Sequence, residues 1–129
     1  MENSDREDSE MAGDALFLGW GPVVRGRELK ALEVFQETIT YYGSLQQDGR
    51  IDSFEPVLLA PHGGELAGFI LLRGARASLD EIRSSQEFRR LVARAAAVVD
   101  DIGVIDAYTG EALAEQMTTF RAVSEELGG

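Results

Sequence analysis

Few side chains in this 129-residue chain could do chemistry. Its one histidine, His62, lies in Pro61-His62-Gly63-Gly64, and it has no cysteine. A thiol nucleophile, a thiolate zinc site and a disulfide frame are therefore excluded. A histidine followed by two glycines reads as a solvated hairpin tip, not as a base held in fixed geometry. Asp100, Asp101 and Asp106 are hard oxygen donors suited to Mg²⁺ or Ca²⁺. Two acids at a helix end and one in a strand show no ligand spacing, so no metal site is expected. Gly19-Trp20-Gly21 follows a strand and precedes a helix, as a dinucleotide-binding turn does, but Val24 stands at the third glycine's place. Turn geometry is the simpler reading.

Arginines make one constellation. Arg25-Gly26-Arg27 follows the first strand and Arg73-Gly74-Ala75-Arg76 the third. With strands 1 and 3 expected to run parallel, both loops emerge at one sheet edge. Each then leads into a helix N-terminus, where unpaired N–H groups and the helix dipole favour an anion. A small anionic ligand, carboxylate or phosphate, is the expected occupant of Arg25, Gly26, Arg27, Arg73 and Arg76. The alternative is that these arginines pair with Glu28, Asp80, Glu81 or acids of a second protomer.

The elements that must position these groups follow from hydrophobic period. An apolar run at Ala15–Trp20 precedes a helical pattern at Arg27–Tyr42, and strand-like runs follow at Ile51–Leu59 and Leu66–Arg73. A long helical pattern spans Leu79–Val99, a strand Val104–Tyr108 and a last helix Glu111–Leu127. This order predicts an α+β, ferredoxin-like βαββαβ domain with an extra C-terminal helix. Leu29, Leu32, Phe35, Ile39 and Tyr42 form the first helix's apolar face, with Gly43 as its stop. Ser78-Leu79-Asp80-Glu81 reads as a capping box, and Thr109 as the cap of the last helix. Residues 1–13 are expected to be a disordered acidic tail, since residues 1–10 hold five acids and no apolar side chain beyond Met1. Residues 14–129 form the single domain.

Alternation in the inner strands predicts assembly. Leu66, Gly68, Ile70 and Leu72 fall on one side of strand 3 and Ala67, Phe69 and Leu71 on the other, so neither side is polar. Strand 1 behaves alike. Helices cover only one sheet face, so the other needs the last helix, a second copy of the chain, or both. A homodimer is expected. The net charge of −11 and pI near 4.4 oppose nucleic acid and anionic membranes as partners. With no run near the roughly 20 apolar residues of a membrane span, a cytoplasmic protein is expected.

Three segments, Phe17-Leu18-Gly19-Trp20-Gly21-Pro22, Pro61–Gly64 and Ala107-Tyr108-Thr109-Gly110-Glu111, join the element order in a resemblance covering about residues 14–127. The chain resembles the dimeric α/β-barrel (ferredoxin-like) superfamily, and within it small uncharacterised bacterial proteins of the YCII-like and ABM-like type. That superfamily includes cofactor-independent monooxygenases, haem-binding enzymes and ligand-sensing domains. The Asn-Trp-His set of such a monooxygenase is missing, because the only asparagine is Asn3 and the only histidine is His62. With no nucleophile, metal cluster or general base in view, a homodimeric binding or interaction module with no cofactor and no evident catalytic residue is expected. One alternative is a cofactor-independent enzyme whose barrel cavity is lined by Trp20, Phe54, Phe69 and Tyr108. Another is an acidic protein-docking adaptor.

Overall fold

The computed structural model describes residues 12–128. Strand β1 (Asp14–Trp20) leads through α1 (Glu28–Gln47) to β2 (Ser53–Leu58), which pairs with β3 (Gly68–Arg73). Two helices, α2 (Arg76–Ser84) and α3 (Gln86–Ala96), carry the chain back to β4 (Gly103–Tyr108), and α4 (Gly110–Glu126) follows. The sheet order is β2-β3-β1-β4. This is the expected ferredoxin-like arrangement with its extra helix. Among the described residues no helix is long and apolar enough to cross a membrane.

Every hydrogen-bonded strand pair is antiparallel, which corrects the direction expected for the inner strands. Phe17 faces Leu71 and Trp20 faces Gly68, while on the other side Phe17 faces Ile105. The β2–β3 hairpin reverses the chain, so β3 runs against β1. The loops after β1 and β3 therefore leave opposite ends of the sheet, about 20 Å apart for a strand of this length.

Local signals decide the element ends. Helix α1 runs through Gly43 and stops at Asp48, followed by Gly49 at φ +75°. A glycine in mid-helix has no reason to turn left-handed while its neighbours still bury apolar surface, and Tyr42 and Leu45 do so on either side. The buried face of α1 is Val34, Tyr42 and Leu45, with Phe35 and Ile39 against it; Leu29 and Leu32 are 80% and 54% exposed. The second crossover is two helices, not one. Ser85 breaks it with extended backbone (ψ 151°), its hydroxyl accepting from the Phe88 N–H at 3.3 Å and donating to the Ile82 carbonyl at 2.7 Å. The capping box at Ser78 is not formed, because α2 starts earlier, after Ala75.

The domain starts before residue 14. Gly13 is buried at φ +80°, and its carbonyl accepts from the Thr109 N–H (2.8 Å) and hydroxyl (2.9 Å). Thr109 is thereby spent on joining the two ends of the sheet unit, not on capping α4. The rest of the expected tail, residues 1–11, lies outside the described residues.

The two sheet faces differ in cover. Leu16, Leu18, Ile70 and Leu72 point to the helices and are buried with Leu79, Ile82 and Phe88. The opposite face carries Phe17, Phe69, Leu71 and Ile105, with Phe17 and Phe69 stacked at 5.1 Å. Helix α4 buries none of its residues and meets the sheet chiefly at β4. Both edges are polar or broken: β2 contains Pro56, and on β4 Asp106 is held by Arg76 (3.1 Å) and Arg83 (3.2 Å), while Arg83 also donates to the Val104 carbonyl (2.9 Å).

Phe88, 3% exposed, locks α3 onto the sheet. Its removal leaves a cavity, so Phe88→Ala should cost about 3–5 kcal/mol in denaturant unfolding. A loss below about 1 kcal/mol would contradict this packing.

Candidate functional site

A cavity of about 340 Å³ lies between α1, α3 and the helix-facing side of the sheet. Its floor is Leu18, Trp20 and Ile70 of the sheet; one wall is the Val34, Phe35, Thr38 and Tyr42 face of α1, and the other is Leu91, Val92, Ala95 and Val98. Val23, Leu32, Leu58, Val99 and Ile102 form the rim, with Glu28 as the charged residue there. The lining is almost wholly apolar. Such a surface left open to water is unfavourable unless something covers it, as in small-molecule sites.

The segment from Gly19 to Val24 explains how the cavity is held open. Trp20 pairs with Gly68, and a Cβ on Gly68 would lie 2.7 Å from the indole, so the missing side chain makes room for the ring. The indole meets Phe35 edge-on at 6.1 Å. After Trp20 the chain forms a short ladder with the segment after α3: Gly21 N–H to Asp100 carbonyl 2.7 Å, Asp100 N–H to Pro22 carbonyl 2.9 Å, Val24 N–H to Val98 carbonyl 2.8 Å. Gly21 is needed because a Cβ there would meet the Asp100 carbonyl at 3.0 Å. The Gly-Trp-Gly stretch is thus a packing device, and it fixes the rim.

Two residues of the lining, Thr38 and Tyr42, carry hydroxyls. The Thr38 hydroxyl donates to the Val34 carbonyl one turn earlier at 2.8 Å. Tyr42 is 1% exposed, with its ring against Phe54 at 6.0 Å and Tyr41 at 5.6 Å. Burial, with a smaller contribution from Tyr41, pushes the Tyr42 phenol far above its ordinary range. At neutral pH it is a hydroxyl that can donate or accept a hydrogen bond, and it is not a base. A wider groove of about 590 Å³ runs along the outer side of α1 and α3, lined by Glu33, Glu37, Glu87 and Arg90. It is open to solvent, and Glu37 in its lining accepts a bidentate pair of hydrogen bonds from Arg94 at 2.9 and 3.0 Å. The apolar lining, not size, marks the cavity between the helices and the sheet as the candidate site.

The expected site residues separate. Of the four aromatics, Trp20 lines the cavity; Phe54 packs behind Tyr42, Phe69 lies on the far sheet face, and Tyr108 is 41% exposed on β4. The anion constellation does not converge, since Arg25, Gly26 and Arg27 stand at the β1 exit and Arg73 and Arg76 at the β3 exit, the opposite sheet end. Arg76 is engaged by Asp14 (3.4 Å), Asp106 (3.1 Å) and the Ala15 carbonyl (3.3 Å), and Arg73 lies 4.0 Å from Glu55. Gly26, at φ +88°, makes a turn whose N–H donates to Glu28 at 3.3 Å. His62 serves its own loop: Nδ1 accepts from the Gly64 N–H at 3.2 Å, so Nε2 carries the proton to the Leu66 carbonyl at 2.9 Å. Asp106 is tied to arginines and stands apart from Asp100 and Asp101; the described residues contain no cluster fit for a metal ion. Tyr42 and Thr38 were missed as site residues. Their signal was two polar groups at four-residue steps from Val34 on an otherwise apolar helix face.

No family model matches the chain, and no curated protein matches it. Solved structures do. A dabb family protein with a ferredoxin-like fold from Mesorhizobium loti is 11% identical, covering 75% of this chain and 97% of its own, with a TM-score of 0.59. A dimeric ferredoxin-like protein of unknown function from Jannaschia is 14% identical over 75% of this chain and 100% of its own, at 0.59. SnoaB, a cofactor-independent oxygenase from Streptomyces nogalater, is 15% identical over 76% and 96%, at 0.50. The chain thus has the ferredoxin-like α+β fold, shared with small proteins that are mostly of unknown function.

The raised Tyr42 pKa has a readable sign. The fold favours the protonated phenol, so this stabilisation is complete below the ordinary phenol range and is lost as pH rises above it. In an alkaline titration followed by phenolate absorbance, one of the three tyrosines should ionise only as the chain unfolds, and Tyr42→Phe should remove that step. Ionisation of Tyr42 with the fold intact would contradict its burial.

Proposed function

We propose that this chain is a homodimeric module that binds a small apolar molecule between its helices and sheet, without a catalytic group of its own. The observation that carries the reading is the apolar cavity floored by Trp20 between the helices and the sheet. Its volume falls at the lower end of the roughly 300–1,000 Å³ of small-molecule sites. Its two hydroxyls suit a ligand with one or two polar atoms on an otherwise apolar body. The open sheet face, with Phe17, Phe69 and Leu71, supports assembly into a dimer, as does the dimeric state named for several structures of this fold. The net charge of −11 supports a reading in which nucleic acid is not a partner.

A second reading, a cofactor-independent enzyme, rests on the Tyr42 hydroxyl inside an apolar site and on the fold shared with SnoaB. Against it stands the chemistry of the lining, whose one carboxylate, Glu28, stands at the rim and accepts the Gly26 N–H.

The sole tryptophan lines the cavity, so its fluorescence reports occupancy directly. Titration with the neutral apolar probe N-phenyl-1-naphthylamine should change Trp20 emission, and Ala95→Phe, which fills the cavity, should weaken binding at least about tenfold, equivalent to about 1.4 kcal/mol. Sedimentation at micromolar concentration should give twice the chain mass for both proteins. Equal probe binding by both would sink the cavity reading, and a monomer mass would sink the dimer.

A further inference from the structure

Helix α4 has no occupant for its apolar face. Leu113, Met117, Phe120, Val123 and Leu127 recur at three- and four-residue steps along one side, between 45% and 82% exposed. A helix with such a stripe and no buried residue gains nothing from its own domain. Nor does it cover its own sheet, because Ile105 on the open face remains 59% exposed. The helix is also an addition, since β1 to β4, Asp14–Tyr108, already complete the βαββαβ unit.

We propose that α4 is a dimerisation arm whose apolar stripe lies on the open sheet face of a second copy of this chain. This rests on the homodimer proposed above and adds its geometry. Stripe and sheet face are both uncovered apolar surfaces, each the other's complement, and a two-fold axis satisfies both at once. Dimensions agree. Seventeen residues make a helix about 25 Å long, and four strands about 4.8 Å apart make a face roughly 15–20 Å wide, so one arm spans one face. Two such contacts, each about 25 by 10 Å and counted on both partners, bury about 1,000 Å², near the lower bound of a specific interface. Charge argues against a lipid surface as the occupant: α4 carries Glu111, Glu115, Glu125 and Glu126 against Arg121, whereas helices that lie on anionic membranes are basic on their polar face.

The test uses the full chain. Met117→Glu with Phe120→Glu places charge in the stripe at positions with no part in the monomer core, while Glu115→Lys alters charge on the same helix outside the stripe. By sedimentation, the double variant should dimerise at least about tenfold more weakly than wild type, and Glu115→Lys should match wild type. Because the chain has no cysteine, paired subunits can then be cross-linked at will. Mixing a Met117→Cys chain with an Ile105→Cys or Leu71→Cys chain should give a disulfide between subunits under mild oxidation. A dimer of undiminished strength in the double variant, with no mixed disulfide, would overturn the arm while leaving the dimer standing. Homodisulfides of Met117→Cys alone would mean helix against helix and overturn the sheet contact. A wild-type chain that stays monomeric would overturn both.

Discussion

Strand β1 is the constraint on which the rest of the molecule depends. It is hydrogen-bonded on both sides, to β3 and β4, and each of its residues faces either the helices or the uncovered side. Leu16 and Leu18 anchor the core, Trp20 floors the cavity, and Phe17 between them opens the other face. A shift of one residue in this strand would exchange the two sets, placing Phe17 under the helices and the core leucines in water. Register in β1 therefore fixes core, cavity and assembly face together. The glycines beside it support that register. A Cβ at Gly19 would lie 2.6 Å from the Phe17 ring, and Gly68 receives the indole of Trp20.

Much of the fold was legible because it depends on period. The alternation in β1 and β3 and the three- and four-residue steps of the helices are local properties, and both inner strands emerged with two apolar faces. What was not legible depends on partners distant in sequence. Gly43 carries no mark that distinguishes a glycine within a helix from one that ends it; burial of Tyr42 and Leu45 on either side decides the matter. Ser85 and Ser78 are equally plausible caps as letters, and the choice falls to Ser85 because Phe88 and Leu91 must turn toward the sheet after α2 has already buried Leu79 and Ile82. Strand direction followed from the hairpin between β2 and β3. Once that reversal is respected, the two arginine loops cannot meet.

The site was less legible than the fold for a related reason. Aromatic residues in strands were the natural candidates, yet which face each occupies depends on register, and of the four considered only Trp20 reaches the cavity. Tyr42 lay in plain view within a helical stripe. Its significance comes from depth: a phenol at the surface would be ordinary, whereas one buried with its ring against Phe54 and Tyr41 is held in its protonated form.

The edges of the sheet bear on how the molecule avoids uncontrolled growth. An edge strand offers a row of free backbone donors and acceptors, and a neighbour that accepts the offer presents the same edge again, without end. Here Pro56 withholds an N–H from the β2 edge, and at β4 the guanidinium of Arg83 occupies the Val104 carbonyl while charge gathers around Asp106. Both rims are thereby made poor templates for an additional strand. A flat surface that pairs about a closed symmetry axis saturates after a fixed number of copies, so blunted edges let a chain with an exposed apolar face avoid growth into a fibre.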